Sequence, residues 1–530
     1  MLQTLSSPRG MVTAPHHLAA QAGLAVLREG GNAIEAMVAA ASTIAVVYPH
    51  MNSIGGDGFW LISEPGRAPV GIDACGRAAL MAARGFYAER ALHAIPARGP
   101  LAANTVAGAV SGWIAALAHS ERAGGGLPLA RLLEDAMWYA ANGVPVTASQ
   151  VNFTAKFLAE LAPQPGFAGQ FLDAGRPPAT GALRRYGALG QTLERLARAG
   201  LDDYYRGDIG AAIAAELERI GSPLRRSDLA THRAAMVTPL AVKVRAGEIF
   251  NLPPPTQGLA SLMILGIFDR LGCGQAESFG HVHGLVEATK QAFMVRNRHI
   301  CDPAAMKVEA GSFLADTALE SRARAIDARR ARQWPEPVAA KGDTVWMGAC
   351  DGTGRMVSYI QSVYWEFGSG VVLADTGVTW QNRGSSFSLD PASHLAIEPG
   401  RKPFHTLNPA HARLADGRAM VYGNMGGDGQ PQSQSAVFSR HAMFGQPLQQ
   451  AVSAPRWLLG RTWGEESVTL KLESRFDDAL VRALREAGHP VEMLPAYSDT
   501  VGHAGALVFD RNGVISGAAD PRSDGVVAGF

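Results

Sequence analysis

Apolar positions along the chain follow two periods, one near every third or fourth residue and one at every second, and the two alternate along its length. Leu18 to Glu29 has helical apolar spacing and runs into Gly30 and Gly31. Asn32 is then placed to cap a second helix from Ala33 to about Val47, which Pro49 stops. The segment SIGGDGFWLI packs Gly55, Gly56 and Gly58 around Asp57 ahead of an apolar run, the pattern of a tight turn leading into a buried strand. Helical patterns then alternate with short strands, with a helix-rich middle from about Gly112 to Leu217. A PPPTQG turn at Pro253 to Gly258 opens another helix.

From Ser321 to Pro337 the sequence is rich in Arg and Ala and ends in QWPEP, which predicts a charged helix giving way to a polar, proline-broken loop. That loop is the strongest candidate boundary. Immediately after it, TVWMGAC and MVSYIQSV are two β-prone runs joined by DGTGR, an Asp-Gly hairpin signal. Thr344 therefore heads a strand, so a loop that can be cut abuts an element rigid enough to hold a new chain end.

Composition narrows the function without naming it. The chain has 530 residues, 47% hydrophobic and 18% charged, enough to bury a large core; length alone suggests about three domains, although layered α/β folds absorb several hundred residues in one unit. With 48 Lys plus Arg against 47 Asp plus Glu, the net charge of +1 gives no electrostatic reason to expect nucleic acid or an anionic membrane, so a small-molecule ligand is expected. The longest early apolar run, Met37 to Tyr48, is too short for the ~20 residues of a membrane helix. The first residues lack a secretory pattern, so a cytoplasmic location is expected.

Cys75, Cys273, Cys301 and Cys350 show no CxxC spacing and read as reduced thiols. Neither HVHG at His281 to His283 nor the pair His16 and His17 is completed by a ligand pattern, so no metal and no cofactor are expected. Gly124 to Gly126 lacks the rest of a phosphate loop and reads as a flexible turn.

Several segments together resemble the γ-glutamyltranspeptidase family of N-terminal-nucleophile hydrolases over nearly the whole chain. They are MVTAPHHLAAQAGLAVLREGGNAIEAMVAAA, VVYPHMNSIGGDGFWLI, PPPTQG, GDT at Asp343 to Thr344, FGSG at Phe367 and NMGGDGQPQ at Asn424. The resemblance implies a four-layer αββα sandwich made as one precursor. Cleavage between Asp343 and Thr344 would yield a large chain, 1–343, and a small catalytic chain, 344–530, bound to each other as parts of one αββα unit. A homodimer of that pair is left open.

An N-terminal threonine carries its hydroxyl and its α-amino group on adjacent carbons, so nucleophile and base come pre-positioned. The amine's ordinary pKa of about 7.7 to 8.0 suits a base working near neutrality. The resemblance gives Gly426 and Gly427 as the backbone donors for the oxyanion. Ser362, eighteen positions after Thr344, takes the place of a threonine whose hydroxyl contacts the nucleophile.

In the substrate pocket the chain departs from the family, whose typical members read a γ-glutamyl zwitterion with an arginine, an acid and a pair of serines. Ser386 in WQNRGSSF stands at the usual acid, and Arg383 where a neutral amide is common. His405 and Thr406 replace the serine pair, Tyr364 replaces an asparagine, and Arg77 in DACGRAA is matched to the carboxylate-binding arginine. A buried ammonium without a counter-charge is costly, whereas an anion facing Arg383 or Arg77 gains charge-assisted hydrogen bonds. The expected substrate is a small carboxylate-bearing amide, like that of the oxamate amidohydrolase branch. The runner-up is γ-glutamyl transfer or glutathione hydrolysis, and a non-catalytic scaffold that kept the fold is the alternative of another class.

Overall fold

Alternation along one strand sets the architecture. In Asp343–Asp351, Val345, Met347 and Ala349 pack into a helical layer, whereas Trp346 turns the opposite way onto Phe59, Leu61, Phe250, Leu252, Ile360 and Leu407. This period of two is what a strand buried on both faces requires. The computed structural model describes residues 3–334, 343–460 and 467–530.

Two seven-stranded antiparallel sheets result. The first runs, in spatial order, Val526–Gly529, Gly10–Ala14, Asp343–Asp351, Met356–Tyr364, Asp57–Ser63, Val70–Ala74 and Ala235–Val237. The second runs Leu5–Ser7, Ile515–Ala519, Ala504–Phe509, Ala419–Asn424, Ala410–Leu414, Gly247–Asn251 and Leu240–Val244. Side chains from both sheets meet in the middle, as in the group Met11, Cys350, Met356, Val421, Leu507 and Ile515. Helices cover each outer face, giving the αββα order expected from the resemblance. Each sheet mixes strands from before and after Thr344, so neither part completes a sheet alone.

The first expected helices form as His17–Arg28 and Ala33–Val47, the latter buried along its whole length beneath the first sheet. Asn32 and Glu35 close a reciprocal cap at its start: Asn32 Oδ1 accepts from Ile34 N (2.9 Å), and Glu35 Oε2 from Asn32 N (2.9 Å). Such a cap is worth roughly 1 kcal/mol. The PPPTQG turn opens helix Gly258–Arg270, and TVWMGAC and MVSYIQSV form the expected hairpin.

The charged helix is a correction, since it spans Asp316–Arg324 rather than starting at Ser321. Leu319 and Ala323 bury against the second helical layer and fix its position, an effect of tertiary packing that the Arg-rich pattern does not reveal. Residues 335–337 of that expected segment lie outside the described residues. The four cysteines are unpaired. No helix among the described residues is long and apolar enough to cross a membrane.

Candidate active site

Thr344 is buried at the start of its strand, at an irregularity in the ladder. Asp343 pairs with Tyr364 and Val345 with Gln361, so one residue on the first strand stands opposite two, Ser362 and Val363, on the second. A bulge of this kind re-aims a side chain, and bulges concentrate beside active sites. The side chain of Asp343 lies outside the described residues.

Two positions along, the Trp346 indole rests on the second sheet over the paired glycines Gly423 and Gly505, where a Cβ on either would overlap the ring. Its Nε1 donates to Ser358 Oγ at 2.9 Å. This close approach brings the head of the strand that Thr344 opens against the end of Ala419–Asn424, which runs directly into Gly426 and Gly427. Both glycines hold positive φ, +113° and +51°, and they lead into helix Gly429–Phe438. Left-handed backbone ahead of a helix N-terminus can present successive N–H groups to a developing negative charge.

The expected pocket residues Tyr364, Arg383, His405 and Thr406 come together. Ser362 Oγ accepts from Tyr364 N at 2.8 Å and supports that residue at φ +84°, a strained value for a bulky side chain. The loop 381–383 is stitched to the same turn, because Asn382 N donates to Val363 O (3.1 Å) and Trp365 N to Asn382 Oδ1 (3.1 Å). Arg383 thereby lies over Tyr364, its Cζ 3.6 Å from the ring centroid, and donates from Nη2 to Thr406 Oγ1 at 3.2 Å. Its Nε and Nη1 have no hydrogen-bond partner among the described residues, although the side chain is fully buried. Burial pulls this guanidinium down to about 10, still cationic at neutral pH.

Ser386 sits at the edge of this group, donating to Phe404 O at 3.3 Å. Arg77 stands apart: its half-exposed guanidinium donates to Gly400 O (3.0 Å) and lies 3.7 Å from Asp302, lining a cavity of about 210 Å³ with Cys75, His232 and Lys402.

Two residues whose role the sequence did not disclose complete the site. Gln257 of PPPTQG donates from Nε2 to both Thr406 O (2.7 Å) and Gly427 O (2.8 Å), tying Thr406 to the glycine turn at Gly426 and Gly427. Arg296 holds the far end of that amide at Oε1 (2.8 Å) and also pairs with Asp428. The motif was visible in sequence, but its partners are ~150 residues away, and only the fold joins them.

Asp57 is the second. Its Oδ1 accepts from Gly76 N (3.0 Å), Gly108 N (3.0 Å) and Gln381 Nε2 (3.1 Å), and its Oδ2 faces His405 Nε2 at 3.1 Å. Burial pushes Asp57 up to about 7 against the opposing pull of these donors and of Arg383. Burial, then Arg383 and Lys402, drive His405 far down, so it is neutral. The three glycines around Asp57 had signalled only a tight turn.

Asp57, Cys75 and His405 bring ligand atoms within 4.8 Å of one another. The donors already on both Asp57 oxygens and the nearby arginine cation make this a hydrogen-bonded cluster rather than a cation site. At His283, Glu287 and His489 the Lys290 ammonium, 2.7 Å from Glu287, already supplies the positive charge.

The chain is similar to known proteins along nearly its full length. Residues 19–530 fit the family model described as gamma-glutamyltranspeptidase. The chain is 55% identical over 525 residues to the oxamate amidohydrolase proenzyme of Klebsiella pneumoniae, covering 99% of each. It is 38% identical to a glutathione hydrolase-like proenzyme of Bacillus subtilis, covering 100% of both. Among solved structures, a cephalosporin acylase from Bacillus halodurans superposes with a TM-score of 0.90 at 32% identity, covering 100% of this chain and 97% of that one. The chain belongs to the γ-glutamyltranspeptidase family and is an N-terminal-nucleophile amidohydrolase.

Proposed function

We propose that this enzyme cuts its own chain between Asp343 and Thr344, then uses the freed Thr344 to hydrolyse a small carboxylate-bearing amide of the oxamate type. The large chain, 1–343, and the small one, 344–530, stay together as one αββα unit, because each sheet draws strands from both. In the reaction the Thr344 hydroxyl attacks the amide carbon while its α-amine takes the proton. The oxyanion is met by backbone N–H groups at Gly426 and Gly427. Collapse expels ammonia with that proton, and water then cleaves the ester on Thr344 to release the acid. Ser362 acts by holding the turn at Tyr364 beside the nucleophile.

The observation that carries the substrate class is Arg383, a buried cation with two nitrogens that have no hydrogen-bond partner among the described residues, in a pocket where Ser386 stands in place of an acid. A carboxylate satisfies such donors strongly, whereas an α-ammonium meets the like charge of Arg383. Arg77, which stands apart from Arg383 and lines a cavity of its own, is not assigned to the carboxylate seat. A cytoplasmic location is supported by the four unpaired thiols.

The glutathione hydrolase-like relative favours a second reading, hydrolysis or transfer of γ-glutamyl groups. Ammonia release from oxamate and from glutamine by purified enzyme separates the two. Faster release from oxamate is expected, and a clear glutamine preference would reverse the assignment.

A further inference from the structure

Among the described residues Arg383 is a buried cation without a direct carboxylate partner, and the buried Asp57 carboxylate lies close by, bonded to Gln381 two residues before Arg383 and to His405 next to Thr406, which accepts from Arg383. Among the described residues Asp57 accepts four hydrogen bonds, none from Arg383: three on Oδ1 and one from His405 on Oδ2. The other titratable groups around Asp57 are held neutral near pH 7: burial pushes the Cys75 thiol and the Tyr204, Tyr205 and Tyr359 hydroxyls up and the His405 imidazole down. Beyond them, Lys402 is paired with Asp73 at 2.5 Å and cancels locally. Arg383 and the ionised form of Asp57 thus offset each other. Adding a carboxylate leaves one uncompensated negative charge in a buried site, an arrangement that binding a proton relieves.

We infer that the Asp57–His405 pair takes up one proton from solvent when a carboxylate ligand binds Arg383, so that the enzyme's affinity for anions weakens as pH rises. The inference rests on Arg383 as the carboxylate seat. It makes Asp57 a residue that tunes the pocket's charge without touching the substrate, and it gives the aspartate of SIGGDGFWLI a chemical role. Free and bound forms of the pair differ in proton affinity, and that difference sets the size of the pH effect.

The test uses the processed enzyme and lactate, a carboxylate with no amide to cleave, as competitive inhibitor, with lactamide as its neutral counterpart. Between about pH 6 and 8.5 the inhibition constant of lactate should rise, approaching tenfold per pH unit above about 7, while that of lactamide stays flat. Asp57→Asn should flatten the lactate profile. Calorimetry of lactate binding to wild-type enzyme in buffers of different ionisation enthalpy should register proton uptake near pH 7.5, a reading that does not depend on the variant folding. No proton uptake by wild-type enzyme overturns the inference. So does an unchanged pH slope in Asp57→Asn, which would place the titration on the α-amine of Thr344. Failure of lactate and oxamate to bind at any pH would overturn the carboxylate seat itself, and the inference with it.

Discussion

The Arg383 guanidinium carbon lies 3.6 Å from the centroid of the Tyr364 ring, and that stacking joins Arg383 to the strand that pairs with the one Thr344 opens. Because Tyr364 pairs in register with Asp343, a change at Arg383 is felt one residue from Thr344. Arg383→Met keeps the stem and removes the cation. Hydrogen bonds to charged groups are worth about 1.5–3 kcal/mol, so KM for oxamate should rise about 10- to 100-fold. KM for a neutral amide of similar size should change far less, and steady-state kinetics on both amides checks the split.

Gly426 holds φ +113°, a conformation that any L side chain strains, although a Cβ there would find its nearest atoms no closer than 3.4 Å. Gly426→Ala should therefore act by distorting the backbone donors rather than by crowding. Loss of one such donor costs about 2.7–4 kcal/mol in the transition state, so kcat should fall about 10²- to 10³-fold with KM nearly unchanged. Rates measured under saturating substrate test this.

Gly423 sits under the Trp346 indole with no room for a methyl group. Gly423→Ala should lower stability by about 1–3 kcal/mol through overpacking, and Trp346→Phe in the same chain should recover part of it. Thermal melts of the two single variants and the double variant give the coupling.

Burial drives His16, His232, His281, His411 and His489 down to about 3, from an ordinary 6.5. In the folded protein they are neutral where the unfolded chain would hold the proton. Their contribution is complete above about pH 6.5 and is lost as pH falls from 6.5 towards 3, each costing up to about 1.4 kcal/mol per pH unit. Denaturant midpoints should be flat above neutrality and drop steeply below about pH 6.

Elements with a local cause were legible in the sequence. Asn32 caps the helix that follows it, Pro253 to Gly258 opens the next, and the Asp-Gly signal turns the hairpin behind Thr344. The resemblance brought Tyr364, Arg383, His405 and Thr406 to notice, and the fold gathers them. What the sequence hid depends on contacts between distant segments. Asp57 read as part of a glycine turn because Gly76, Gly108, Gln381 and His405, which define its chemistry, lie on four other segments. Gln257 is likewise inert in sequence until Thr406 and Gly427 fold onto its amide. The Asp316–Arg324 helix starts early because Leu319 finds a buried site on a neighbouring helix layer, which the Arg-rich pattern could not register.

Mass spectrometry of the purified protein, before and after brief exposure to oxamate, tests the central claim most directly. The account predicts two chains, the smaller beginning at Thr344 and gaining the mass of an acyl group during turnover, and a single uncut, inactive chain for Thr344→Ala. Oxamate hydrolysis by an uncut chain at a rate that Thr344→Ala leaves unchanged would contradict it.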